Sequence, residues 1–224
     1  MSTYGQFCPV AMASEVLTER WTPLVIRELL CGSTRFNDLR RGVPLMSPSL
    51  LSKRLKTLET VGVLERHSSR NSQAVEYSLT AAGKELWPVI EAMGIWGQRW
   101  ARGDVLARHM DASLLMWDIH RNIVVEKLPP RRVVVHFHLR GSSDKKSRFW
   151  LVLDGSTADL CLVDPGYEVD VYVASHMRTM VDYWMGHIEF ADAVRADELV
   201  ITGPRDLARA FPTWFSRSAF AEYG

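Results

Sequence analysis

A chain of 224 residues with 47% hydrophobic content can build two hydrophobic cores, and a formal charge of +1 gives it no overall pull toward a polyanion. The charge is unevenly placed: residues 1–103 hold 13 Lys and Arg against 9 Asp and Glu, residues 104–224 hold 14 against 17, and within 31–70 eight basic residues stand against three acidic ones. Only the first half therefore suits an anionic partner. No apolar run approaches a membrane span, and Cys8, Cys31 and Cys161, without a C-x-x-C pair, exclude a disulfide framework and a zinc site.

The opening MSTYGQFCPV lacks the basic n-region and apolar core of an export signal, so the cytoplasm is the expected compartment and no membrane partner is expected. A first helix is predicted over Val10 to Leu17. Pro23 sits where a second would start, running Leu24 to Leu30, with Trp21 in the core just before it and Gly32 closing it. Ser33 to Phe36 adds a short strand. A helix over Arg35 to Arg41 is followed by the turn Gly42-Val43-Pro44.

The next helix opens with Ser47-Pro48, an N-cap residue followed by proline at the first helical position. Leu51, Leu55 and Leu58 lie on one stripe, and Ser49, Lys53, Lys56 and Thr60 lie on the other. Taken alone, this is any amphipathic surface helix. Its neighbours change that: a helix and a turn precede it, and the strands Val63 to His67 and Ala74 to Leu79 follow, flanking the polar loop Ser68 to Gln73. Helix, turn, helix and a two-stranded wing make a winged helix-turn-helix, whose second helix enters the major groove of DNA.

The expected base-edge or groove-wall contacts are Ser49, Leu50, Lys53 and Arg54, the last lying nearer the buried flank, where it can bind phosphate instead. Ser47 and Lys56 complete the DNA-facing set on this helix. From the wing, Arg66, His67, Arg70 and Gln73 are expected to meet phosphates or the minor groove. Thr80 then caps a helix from Ala81 into Trp100, with Pro88 bending it. Its apolar residues suit burial against a partner subunit or against the chain's own second half.

The segments CPV, ERWTPLVIRELL, RFNDLRRGVP, SPSLLSKRLKTLE, GVLER and YSLTAAGKEL, in that order from Cys8 to Ala101, resemble the HxlR-type winged-helix transcriptional regulators. The resemblance implies a homodimer on double-stranded DNA, with terminal helices in the interface and one recognition helix per subunit in the major groove. In some regulators resembling this family a cysteine directly before a proline near the N-terminus senses electrophiles or oxidants. Cys8 precedes Pro9, so redox sensing stands beside the reading of Cys8 as an ordinary small residue.

Gly103-Asp104 marks a shift in composition, giving the expected domains 1–103 and 104–224. A helix over Val105 to Ile119 leads into strand candidates Val133 to Leu139, Arg148 to Leu153, Asp159 to Val163 and Glu168 to Val173, read as an antiparallel meander. Helices over His176 to Met185 and Phe190 to Arg195, a strand over Glu198 to Thr202 and a helix begun by Pro204 complete an α+β layer. The segments WLVLDGSTADLCLVDPGYEVDVYV, MVDYWMGHIEFADAVRADELVITGP and RDLARAFPTWF resemble the sterol-carrier-like domain, in which the last strand and helices close an apolar cavity for lipids or other hydrophobic molecules.

Phe137, Trp150, Tyr172, Met177, Met180, Tyr183, Trp184, Phe211 and Trp214 are the expected lining of such a cavity, against the alternative that they simply fill a core. His136 and His138 share one strand face, but no third metal ligand stands at a defined spacing, so neither a metal nor a cofactor is expected. No nucleophile motif or phosphate-cradling loop appears, and the chain is read as no enzyme. The expected function is a ligand-responsive regulator, a repressor, acting as a homodimer on a pseudo-palindromic operator under a hydrophobic small-molecule effector. The alternative is a hydrophobic-metabolite or lipid carrier whose first half only dimerises.

Overall fold

The computed structural model describes residues 3–68, 75–101, 110–142 and 146–223. The chain divides into two compact units, Met1–Gly94 and Ile95–Gly224. The division falls inside a helix rather than at the composition shift after residue 103.

In the first unit α1 (Pro9–Leu17), α2 (Thr22–Leu30) and α3 (Phe36–Gly42) lead to α4 (Pro48–Thr60). The hydroxyl of Ser47 accepts from the Leu50 N–H at 3.3 Å, and Pro48 occupies the first turn, where its missing N–H costs nothing. Leu51, Leu55 and Leu58 are 0–1% exposed and fix α4 on the core. The turn before it depends on Gly42: a Cβ there would sit 1.9 Å from the carboxyl carbon of Glu28, a buried residue paired with Arg27 at 2.6 Å.

The wing is β1 (Leu64–Ser68) antiparallel to β2 (Val75–Leu79). The residues before α3 add one bridge, Arg35 to Glu76, with the Tyr77 N–H donating to the Thr34 carbonyl at 2.7 Å, in place of a full strand. The helix expected over 81–100 is two: α5 (Ala81–Lys84), capped by Thr80, and α6 (Trp87–Trp100). Pro88 accounts for this. As the second residue of a new helix it lacks only an N–H that would have no intrahelical partner, so it marks a start and not a bend.

In the second unit Asp111 caps α7 (Ala112–Arg121), accepting from the N–H groups of Ser113 and Leu114. Residues 105–109 of the expected helix lie outside the described residues. A five-stranded sheet follows, built from β3 (Arg132–Arg140), β4 (Arg148–Asp154), β5 (Thr157–Cys161), β6 (Val171–His176) and β7 (Leu199–Thr202) in the order β5-β4-β3-β6-β7. The expected meander holds for three strands only, because β6 pairs parallel to β3, with Val135 opposite Val171.

The reason lies in composition. The inward residues of β3 and β6 are 0–1% exposed and apolar except for Ser175, whose hydroxyl donates to the Glu198 carbonyl at 3.0 Å, which suits the sheet centre, whereas β5 is short, with every residue at least partly exposed, and suits an edge. Asp170 fastens the crossing, its carboxylate accepting from the Val134 N–H at 2.9 Å and from Arg131 at 2.8 Å. Then α8 (Met177–Trp184), α9 (Phe190–Arg195) and α10 (Arg205–Ala210) supply, with α7, the core on one face of the sheet. No helix of the described residues is long and apolar enough to cross a membrane.

Candidate DNA interface and apolar core

On α4 the side chains of Ser49, Lys53, Lys56 and Thr60 are exposed, and neither lysine joins an ion pair among the described residues. Ser47 is exposed too, its hydroxyl 3.2 Å from that of Ser49 while it caps the helix. Leu50 is half-buried against the core at the edge of this face. Two unpaired ammonium groups on one helix face, beside hydroxyls, are suited to phosphate oxygens and base edges. On β1, Arg66 and His67 are exposed, and the His67 Nε2 lies 2.7 Å from the Ser78 hydroxyl. Arg70 and Gln73 lie outside the described residues.

Arg54 departs from expectation. Its side chain is 8% exposed, with Nη1 2.6 Å from a Glu19 carboxylate oxygen and Nη2 3.3 Å from the Arg20 carbonyl. It points into the unit, away from the lysine face. Positions 51, 54, 55 and 58 form one i, i+3, i+4, i+7 stripe, the spacing that set Arg54 nearer the buried flank in the sequence, although its charge kept it among the expected DNA contacts.

The nine side chains expected to line a cavity in the second unit divide over two faces. Phe137, Met177, Met180, Tyr183, Trp184, Phe211 and Trp214 are 0–6% exposed on the helix-covered face. Phe211 lies at its centre, with ring centroids 5.9 Å from Phe137, 5.8 Å from Trp214 and 5.4 Å from Phe215. Trp150 and Tyr172 point the other way, 4.9 and 5.7 Å from the His136 ring, and Tyr172 is 49% exposed. Period-two alternation with Phe149, Leu151, Val171 and Val173 forces this, so neither can line a cavity beneath the helices.

Burial, then the charges of Arg148 and His138, lowers the pKa of His136 below the ordinary histidine value. Among the described residues no three His, Cys, Asp or Glu side chains group as metal ligands. The indole N–H of Trp214 is buried with no acceptor among the described residues. Cys8 is exposed at the N-cap of α1, where backbone N–H groups of Ala11 and Val10 draw its thiol below the ordinary range, while burial pushes Cys161 up.

A helix-turn-helix with a wing, presenting an unpaired basic face on its second helix, defines a DNA-binding protein. The HxlR-like helix-turn-helix family profile matches residues 16–104. The HTH-type transcriptional regulator YvaP of Bacillus subtilis is 37% identical over 98 residues, which cover 43% of this chain and 91% of that protein. The HTH-type transcriptional regulator Mb3122 of Mycobacterium bovis is 38% identical over 132 residues, covering 54% of this chain and 83% of its own. Among solved structures, the reduced form of the B. subtilis regulator YodB is 30% identical, covers 43% of this chain and 97% of its own, and has a TM-score of 0.38. The chain belongs to the HxlR-like helix-turn-helix family and is a DNA-binding transcriptional regulator. That membership sets aside the reading of the first half as a dimerisation module only.

Proposed function

We propose that the protein is a ligand-responsive repressor that binds a pseudo-palindromic operator as a homodimer and releases it when an apolar small molecule enters a sterol-carrier-like second domain. Residues 1–103 would carry DNA binding and 104–224 the response. Support for dimerisation comes from apolar side chains left in water: on α1 and the residue run before it, Phe7, Val10 and Met12 are 97, 73 and 60% exposed, and on α6, Met93, Trp96 and Trp100 are 51, 63 and 73% exposed.

The observation that carries the ligand reading is Trp214. A buried N–H without an acceptor is costly, and a guest that brings a carbonyl, hydroxyl or carboxylate oxygen into an otherwise aromatic and thioether-rich interior would satisfy it. Phe137, Met177, Met180, Tyr183, Trp184 and Phe211 then form the apolar wall, and Trp150 and Tyr172 drop out of it. Control of DNA binding requires that the guest prefer the DNA-incompetent state.

The test is denaturing extraction and mass spectrometry of the purified full chain, paired with titration of a fluorescent long-chain fatty acid. A bound apolar molecule, with Trp214→Phe weakening fatty-acid binding about fivefold through one lost hydrogen bond, is the expected result. No extractable guest and no saturable binding would contradict it.

A further inference from the structure

We infer that Arg54 is a positioning residue that clamps the recognition helix to the α1–α2 turn and so sets how sharply the protein separates its operator from other DNA. The inference rests on the operator binding proposed above, with α4 as the helix that reads it. Leu51, Leu55 and Leu58 hold α4 at its depth in the core, but apolar contact is non-directional and leaves rotation about the helix axis weakly determined. The guanidinium supplies direction. One nitrogen meets Glu19 at 2.6 Å and another donates to the Arg20 carbonyl at 3.3 Å, both in the segment that joins α1 to α2.

That segment is itself sharply defined. The Thr22 N–H donates to the Glu19 carbonyl at 2.9 Å, and Trp21 takes φ 77°, a left-handed conformation costly for a bulky aromatic. Trp21 packs on the core, and the Arg20 guanidinium carbon lies 5.3 Å from its ring centroid. Arg54 therefore grips a turn that cannot easily yield. A rotation of α4 by about 20° would shift a side-chain tip roughly 6 Å from the axis by about 2 Å. That is enough to break a base-edge hydrogen bond. Attraction of Lys53 and Lys56 to phosphate would survive it.

The experiment measures affinity of the full chain for a duplex selected by the wild-type protein and for a scrambled duplex across a salt series. Arg54→Met keeps the length and apolar stem of the side chain and leaves Glu19, 46% exposed, in water. It is expected to reduce the selected-to-scrambled affinity ratio tenfold or more, with scrambled affinity and salt slope unchanged and Arg54→Lys partly restoring the ratio. Glu19→Gln, a change at an exposed carboxylate that does not threaten folding, is expected to lower the ratio in the same direction by a smaller factor. An unchanged ratio in either variant would overturn the clamp. So would a parallel fall in both affinities with a salt slope reduced by about one, which marks a direct phosphate contact. Lys53→Ala separates this from the reading beneath it: a lower ratio there with an unchanged ratio in Arg54→Met rejects the clamp alone, and an unchanged ratio in Lys53→Ala rejects the reading face.

Discussion

Cys8 and Cys161 are the same chemical group in opposite surroundings. Two backbone N–H groups at the start of α1 favour the Cys8 thiolate, and burial disfavours that of Cys161. A lowered pKa means more thiolate at any given pH below it, and the thiolate is the species that is alkylated. Iodoacetamide at neutral pH is expected to modify Cys8 well before Cys161, as read by peptide mass spectrometry; equal rates would favour the reading of Cys8 as an ordinary small residue over that of a sensor. At this scale the sequence was legible where spacing alone decides burial, as for Leu51, Leu55 and Leu58. It misled where chemical type was weighed above position: the charge of Arg54 and the rings of Trp150 and Tyr172 suggested binding surfaces that helical and strand periods do not grant.

The elements themselves were read closely, since caps and breakers carry local physics. Ser47-Pro48 and Thr80 each sit at a helix start as expected, whereas the Asp111 cap was not singled out, and the expected helix start at Val105 lies outside the described residues. Non-local choices were harder. Nothing within Val171–His176 says that its partner is β3, because pairing between strands so far apart in the chain is decided by tertiary packing and not by local sequence. Pro88 was legible as a disruption but not as a beginning, which depends on the preceding turn closing at Lys84. Pro88→Ala is accordingly expected to cost under about 1 kcal/mol, through greater freedom of the unfolded chain. A gain of about 3 kcal/mol in chemical denaturation, the relief expected on removing a mid-helix proline, would contradict the assignment of Pro88 to a first turn.

At the scale of the whole molecule the two halves differ in charge, 13 basic against 9 acidic residues in 1–103 and 14 against 17 in 104–224. Family membership accounts for the first half, and its match ends at residue 104. The role proposed for the second half rests on its aromatic core and on one unsatisfied indole. Operator binding, the output of the proposed account, depends on the claim that α4 reads DNA in a symmetric pair. The most direct measurement is selection of duplexes from a random pool by the full-length protein, followed by sequencing. Enrichment of an inverted repeat with half-sites about 10 base pairs apart, centre to centre, is predicted. Recovery of duplexes with no shared sequence, or of a motif that Lys53→Ala selects equally well, would contradict it.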